Sequence, residues 1–235
     1  MKTLTIGGAT QDIFLITENK QIERPSGDDG NKLLIPEGAK LLMDDAHLAT
    51  GGGATNAAAA LQQLDIHAHV CCTVGEDAIA DFVINDLCNR NIDCRYITTT
   101  DQVHTAVSCI IPAPSGNRTL FVYRGANAYF TPDAIPREDL NQYAGVYITS
   151  IAQQAASYIA SITQMLRPHV PLIAHNPGSE ELTEDTEYLL KALQSIDIFI
   201  VNAQEARDLL AHMSKNQECK QRILSEQTHT QYSKD

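Results

Sequence analysis

The sequence predicts an α/β protein: a three-layer α/β/α sandwich around a mainly parallel sheet, with a small β-sheet added at one edge. Three observations carry this. Apolar strand-like runs recur near residues 70, 147, 173 and 199, each followed by a helical stretch, the mark of parallel strands joined by crossover helices. Two hairpin-like regions, 13–43 and 103–124, interrupt that rhythm. After residue 213 the chain turns polar without another strand, so the C-terminal part of the sheet is expected to be missing.

Leu4 to Ile6 ends at Gly7-Gly8 and resumes over Ile13 to Ile16, which reads as strand, tight bend and strand. Residues 18–32 are polar, with Arg24 to Gly30 as a loop. Leu33 to Ile35 and Lys40 to Met43 read as short strands around Pro36-Glu37-Gly38. Residues 44–50 do not form a clean strand pattern. Gly51-Gly52-Gly53 breaks the chain ahead of an alanine-rich helix, Ala54 to Leu64. Strand Ala68 to Val74, helix Asp77 to Asn91 and strand Cys94 to Thr98 follow. Val103 to Pro112 and Arg118 to Tyr123 alternate around the turn Pro114-Ser115-Gly116-Asn117. Strands at 145–150, 171–175 and 196–201 then alternate with helices at 152–167, 183–193 and 203–213. One α/β domain over 1–213 and a polar tail over 214–235 are expected.

Seventeen Lys and Arg stand against 29 Asp and Glu, a formal net charge of -12. That excludes counterion-displacing nucleic-acid binding, which needs clustered basic residues. No run approaches the ~20 apolar residues of a membrane span, and Gly7-Gly8 arrives too early for a secretory segment. The cysteines at 71, 72, 88, 94, 109 and 219 form no CxxC pair. They read as free thiols in a reducing compartment, so a cytoplasmic location is expected.

Several polar groups fall where strands end. Gly51-Gly52-Gly53-Ala54-Thr55-Asn56 opens a helix whose N–H groups favour electronegative ligand atoms. Asn56 adds an amide suited to sugar hydroxyls. A tight turn packed on the sheet is the alternative. No Gly-Lys-Ser/Thr follows, so this is not a nucleotide P-loop, and Asn56 stands where a dinucleotide fingerprint needs its third glycine. Asp12, just beyond the first strand, lies at the sheet edge where ligands bind in open α/β folds; it also suits a turn. Asn202 and Glu205 have the spacing of a capping box, and equally that of a carboxylate holding a Mg²⁺-bound water beside phosphates. His175-Asn176-Pro177-Gly178 ends another strand. There is no HExxH zinc pattern and no GxSxG elbow.

Taken together and in order, these segments resemble the ribokinase-like (PfkB) carbohydrate kinases. The match runs from Ile6-Gly7-Gly8-Ala9-Thr10-Gln11-Asp12 to Gly51–Ala58 and Val74-Gly75-Glu76-Asp77. It continues through Gly116-Asn117-Arg118-Thr119, Tyr123–Asn127 and Asn176-Pro177-Gly178 to the NxxE segment Asn202–Glu205, so it covers residues 1 to about 210. The resemblance implies ATP-dependent phosphorylation of a sugar or nucleoside hydroxyl. Asp12, Gly52, Gly53 and Asn56 would bind the acceptor. Asn202 and Glu205 would organise Mg²⁺ and ATP phosphates through water, and Asn176 would lie near the phosphate path. Segments 13–43 and 103–124 would form a β-lid over the substrate that also makes a homodimer contact in many relatives.

One departure is large. The family carries a second signature, GAGD-like, whose glycines form an anion hole and whose Asp is the base. Gly178 is the last glycine here, so neither is present in this chain. Transfer relies on positioning and charge stabilisation, so the resemblance implies a truncated chain with impaired or absent activity. The alternatives are a sugar- or nucleoside-binding regulatory protein, and an NAD-dependent enzyme, which would need a strand directly before Gly51.

Overall fold

The computed structural model describes residues 1–17, 32–113, 116–151, 158–183 and 186–215. Along the chain lie β1 (Lys2–Ile6), β2 (Thr10–Ile16), β3 (Asp45–Gly51), α1 (Gly53–Gln63), β4 (His67–Gly75), α2 (Ala78–Asn89), β5 (Asp93–Thr100), β6 (Ala106–Pro112) and β7 (Arg118–Tyr123). Three short 3-10 turns between Gly125 and Gln142 lead to β8 (Gly145–Ile148), α3 (Ile159–Leu166), β9 (Ile173–His175), α4 (Ser179–Thr183), α5 (Thr186–Leu193), β10 (Ile198–Phe199) and α6 (Ala203–Lys215).

The larger sheet has six parallel strands in the order β10-β9-β8-β1-β4-β5. Its strands are apolar on both faces because helices cover both. The β4 residues Val70, Cys72 and Val74 pack with Ala54 and Ala58 of α1 and Val83 and Leu87 of α2. On the opposite face Leu4, Ile6, Cys71, Val146, Ile148 and Ile173 pack with Ile159, Ile162 and Leu166 of α3. The adjacent thiols Cys71 and Cys72 therefore point into different layers, as the two-residue period of a strand requires. Leu182, Leu189, Leu209 and Met213 tie α4, α5 and α6 together. The three-layer expectation holds.

The smaller sheet has the order β3-β2-β6-β7, with β2 parallel to β6 and the other pairs antiparallel. Two expectations change here. Leu33–Ile35 and Lys40–Met43 are not strands; Leu34 alone makes a bridge. The edge strand is instead β3, over residues that lacked a strand pattern. It reads polar because most of it is exposed, and an edge strand needs no apolar alternation. The expected lid residues 18–31, the turn residues 114–115, helix positions 152–157 and 184–185, and tail positions 216–235 lie outside the described residues.

Asp77 joins the two sheets. Its carboxylate caps α2 by accepting from Ala80 N–H at 2.9 Å, and also accepts from Thr105 N–H at 2.7 Å and the Thr105 hydroxyl at 2.8 Å. Gly75 N–H donates back to Thr105 Oγ1 at 2.8 Å. Burial pushes the Asp77 carboxyl up, but the Thr105 and Ala80 donors outweigh it and hold the group below its usual range. The start of β6 is thereby fixed against the end of β4.

Candidate functional site

From β1 the chain moves outward through β4 and β5, then returns to β8 and moves outward the other way through β9 and β10. Ligands of open α/β sheets sit outside the carboxyl ends of the strands at such a reversal. Several segments converge there. Thr149 N–H, just after β8, donates to Ile6 O at 2.8 Å, and Ala54 N–H of α1 donates to Gly8 O at 3.1 Å. The start of α1 therefore sits on the exit of β1. The Thr149 side chain packs against Gly7 and Gly53, and Ser150 against Gly178, which links the loops after β1, β8 and β9 into one rim.

Gly52 has φ +100°, and a side chain there would run into the Gly8 carbonyl and Ala9. Only glycine fits both restrictions. No side chain caps the first turn of α1 at Gly52, whereas the Thr55 hydroxyl donates to Gly51 O at 2.6 Å. Asp12 lies in β2 opposite Ala49 of β3 and Ser108 of β6. Its carboxyl group packs on Gly51, in the space a Cβ would fill. Burial pushes the Asp12 carboxyl up, and the Ser108 hydrogen bond and the Arg118 charge offset this only in part. Asn56 is exposed in the first turn of α1, with its N–H on Gly52 O at 3.0 Å. Asp12, Gly52, Gly53 and Asn56 are thus gathered at one helix start. The NAD alternative gains the strand it needed before Gly51, but β3 is an antiparallel edge strand of the small mixed sheet, whereas a dinucleotide fold needs that strand in the parallel sheet.

A second group lies along the rim toward β10. Asn176 Nδ2 donates to Ile200 O at 2.8 Å, which binds the end of β9 to the residues after β10. Asn202 Oδ1 accepts from Glu205 N–H at 2.9 Å, while Glu205 Oε2 accepts from Asn202 N–H at 2.8 Å. This is a reciprocal capping box at the start of α6. Each side chain retains a second polar atom, Glu205 Oε1 and Asn202 Nδ2. Among the described residues no three His, Cys, Asp or Glu side chains converge into a metal cage.

Three supporting residues had no role of their own in the sequence reading, although Asn127 and His175 fall within its motifs. Asn127 Oδ1 accepts from Ala9 N–H at 2.9 Å and fixes the link between β1 and β2. His175 and Glu181 are a fully buried pair, with Nε2 and Oε2 2.9 Å apart. His175 Nδ1 lies 3.1 Å from Ile148 O, which can only accept, so this nitrogen carries a proton. The contact with Glu181 then needs one more proton, on Nε2 or on the carboxyl. Glu181 Oε1 accepts from Gly178 N–H at 3.1 Å and Ile151 N–H at 3.3 Å, so one acid fixes both loops of the rim. In sequence, Ser179-Glu180-Glu181 reads as a solvated helix start.

Comparison with known proteins agrees with this geometry. Residues 28–232 match the model of the pfkB family carbohydrate kinases. The chain is 28% identical over 171 residues to a ribokinase of Staphylococcus aureus (strain COL), covering 72% of this chain and 54% of the relative. It is 25% identical over 171 residues to a deoxyribokinase of Salmonella typhi, again covering 72% and 54%. The chain therefore spans about half the length of these curated relatives. Among solved structures, a fructokinase from Xylella fastidiosa superposes with TM-score 0.67 at 15% identity, over 94% of this chain and 69% of that one. A ribokinase from Cryptococcus neoformans var. grubii serotype A in complex with ADP superposes with TM-score 0.63 at 18% identity, over 90% and 60%. With residues 28–232 of this chain matched by the family model and the fold shared, this chain belongs to the pfkB family of carbohydrate kinases.

Proposed function

We propose that the chain binds a sugar or nucleoside at the Asp12–Gly51–Gly53 cradle, as the acceptor-binding part of an ATP-dependent kinase. The packing of the Asp12 carboxyl on the glycine-rich start of α1 carries this reading. A carboxylate accepts hydrogen bonds from acceptor hydroxyls. Gly52, Gly53 and Asn56 add backbone and amide groups beside it. Asn176, Asn202 and Glu205 face the ATP side. Their oxygen donors suit Mg²⁺ held through water, since that ion keeps several waters and takes few protein ligands. A bound Mg²⁺ would supply charge neutralisation for the phosphates. Glu205 Oε2 is already engaged in the α6 cap, so Oε1 is the atom left for such a water.

On the same reading this chain by itself transfers phosphoryl groups little or not at all. This rests on the resemblance, which puts the anion hole and the base in a glycine-rich segment beyond the NxxE motif, where this sequence holds no glycine. Calorimetry with ribose, fructose, phosphorylated hexoses and adenosine is expected to find an acceptor that binds. Asp12→Ala weakens it by roughly tenfold or more, the scale of a lost charge-assisted hydrogen bond. Because the Asp12 carboxyl sits above its ordinary value, wild-type binding fades as pH falls through that raised value, and Asp12→Ala lacks this fade. A folded chain that binds none of the panel rejects the reading. Brisk ADP release in a coupled assay rejects the claim of lost transfer.

The small sheet exposes Leu48 on β3 and Phe121 and Tyr123 on β7, which the strand register places on one face. On this reading a second copy of the chain covers the apolar face. Sedimentation equilibrium should show a dimer that Phe121→Lys dissociates, and a monomer at every concentration contradicts it.

A further inference from the structure

Two cysteines outside the candidate site lie side by side. Cys88 is exposed in the last turn of α2. The chain then reverses through Asn91, at φ +58°, and the buried Ile92. Asn91 N–H donates to Cys88 O at 2.9 Å and Ile92 N–H to Leu87 O at 3.0 Å, so the reversal is backbone-fixed. Asp93 begins β5 opposite His69, yet Tyr96 rather than Arg95 pairs with Cys71. β5 thus carries one extra residue, a bulge, and bulges re-aim side chains. Cys94, in that bulge, packs at the border of the core beneath α2, with its Sγ 3.7 Å from the Cys88 Sγ.

We propose that Cys88 and Cys94 form an oxidisable dithiol that closes to a disulfide within the folded protein. The oxidant is a low-molecular-weight hydroperoxide. Exposed Cys88 sulfur attacks the peroxide oxygen; the O–O bond breaks, the alcohol or water leaves, and Cys88 becomes a sulfenic acid. Cys94 sulfur then attacks the Cys88 sulfur, hydroxide leaves with the Cys94 proton as water, and the S–S bond forms. Two thiols are oxidised by two electrons and one peroxide is reduced. Burial and the adjacent Cys88 thiol push the Cys94 thiol up to about 12, so Cys88 is the sulfur that meets the oxidant first. Cys71 and Cys72 are fully buried, with thiols pushed up by burial, and serve as internal controls.

The reduced full chain is treated with stoichiometric hydrogen peroxide, alkylated under denaturing conditions, digested and analysed by mass spectrometry. The expected product is a peptide pair joined through Cys88 and Cys94, reversed by dithiothreitol, with Cys71 and Cys72 alkylated. It should form roughly tenfold faster in the folded chain than in urea, as fixed neighbours react faster than flexible ones. Given a second equivalent of hydrogen peroxide, Cys94→Ser should carry Cys88 on from sulfenic to sulfinic acid, with circular dichroism unchanged. The proposal is overturned if wild-type Cys88 proceeds to sulfinic acid while Cys94 remains alkylatable. It is equally overturned if Cys88 pairs instead with Cys109 or Cys219, or if the link forms only in urea. None of these outcomes depends on sugar binding.

Discussion

Glu181→Ala should lower the unfolding free energy by about 3–5 kcal/mol in urea titration, the cost of leaving three buried hydrogen-bonding groups without their partner. The expectation rests on three bonds made by one carboxyl that is 1% exposed. His175 loses the partner of its Nε2, and Gly178 and Ile151 lose the acceptor of their N–H groups. Glu181→Gln separates these effects. The amide oxygen still accepts from both backbone groups, and the amide nitrogen donates to a neutral His175. Its loss should be less than half that of Glu181→Ala. The apolar double variant His175→Leu, Glu181→Met should recover part of the stability but not all, because the two N–H groups remain orphaned. Equal losses for Ala and Gln would refute the carboxyl's role as a brace between the loops after β8 and β9.

Gly52→Ala should cost about 2–4 kcal/mol, since a strained φ and a backbone clash add. At φ +100° any side chain is strained, and here it also meets the Gly8 carbonyl and Ala9. Relief requires α1 to move off the exit of β1, which opens the acceptor cradle. Gly38→Ala is the matched control. Gly38 also has positive φ, at +74°, but no atom lies within 4 Å of an added Cβ. It should cost about 1–2 kcal/mol, the left-handed backbone strain without the clash. Differential scanning calorimetry that ranks Gly38→Ala as the more damaging change would overturn the packing explanation.

Much of the fold was legible because it follows local periodicity. The strands around 70, 147, 173 and 199 announced themselves as apolar runs, and the helix after Gly53 by its alanines. β3 was missed for the opposite reason. An exposed edge strand is polar, and its Asp45 and His47 hide the pairing that Thr10–Ile16 supplies. The candidate site divides similarly. The Gly51–Gly53 run, Asn176, Asn202 and Glu205 stand at strand ends and helix starts, where position suggests chemistry, whereas Asp12 lies within β2 of the small sheet. Glu181, Thr149 and Asn127 support that rim through partners 30, 143 and 118 residues away in sequence, and no local pattern reports such distances.

Residue order alone carried the layered α/β class and the succession of motifs that resembles carbohydrate kinases. Those are properties of residue type, period and order along one dimension. That Asp12 rests on Gly51, that Glu181 is a buried brace, and that Cys88 faces Cys94 across a bulge emerge with the folded chain. Each depends on how segments distant in sequence, or a one-residue shift in strand register, bring atoms within a few ångströms. Burial then changes what a carboxyl or a thiol can do.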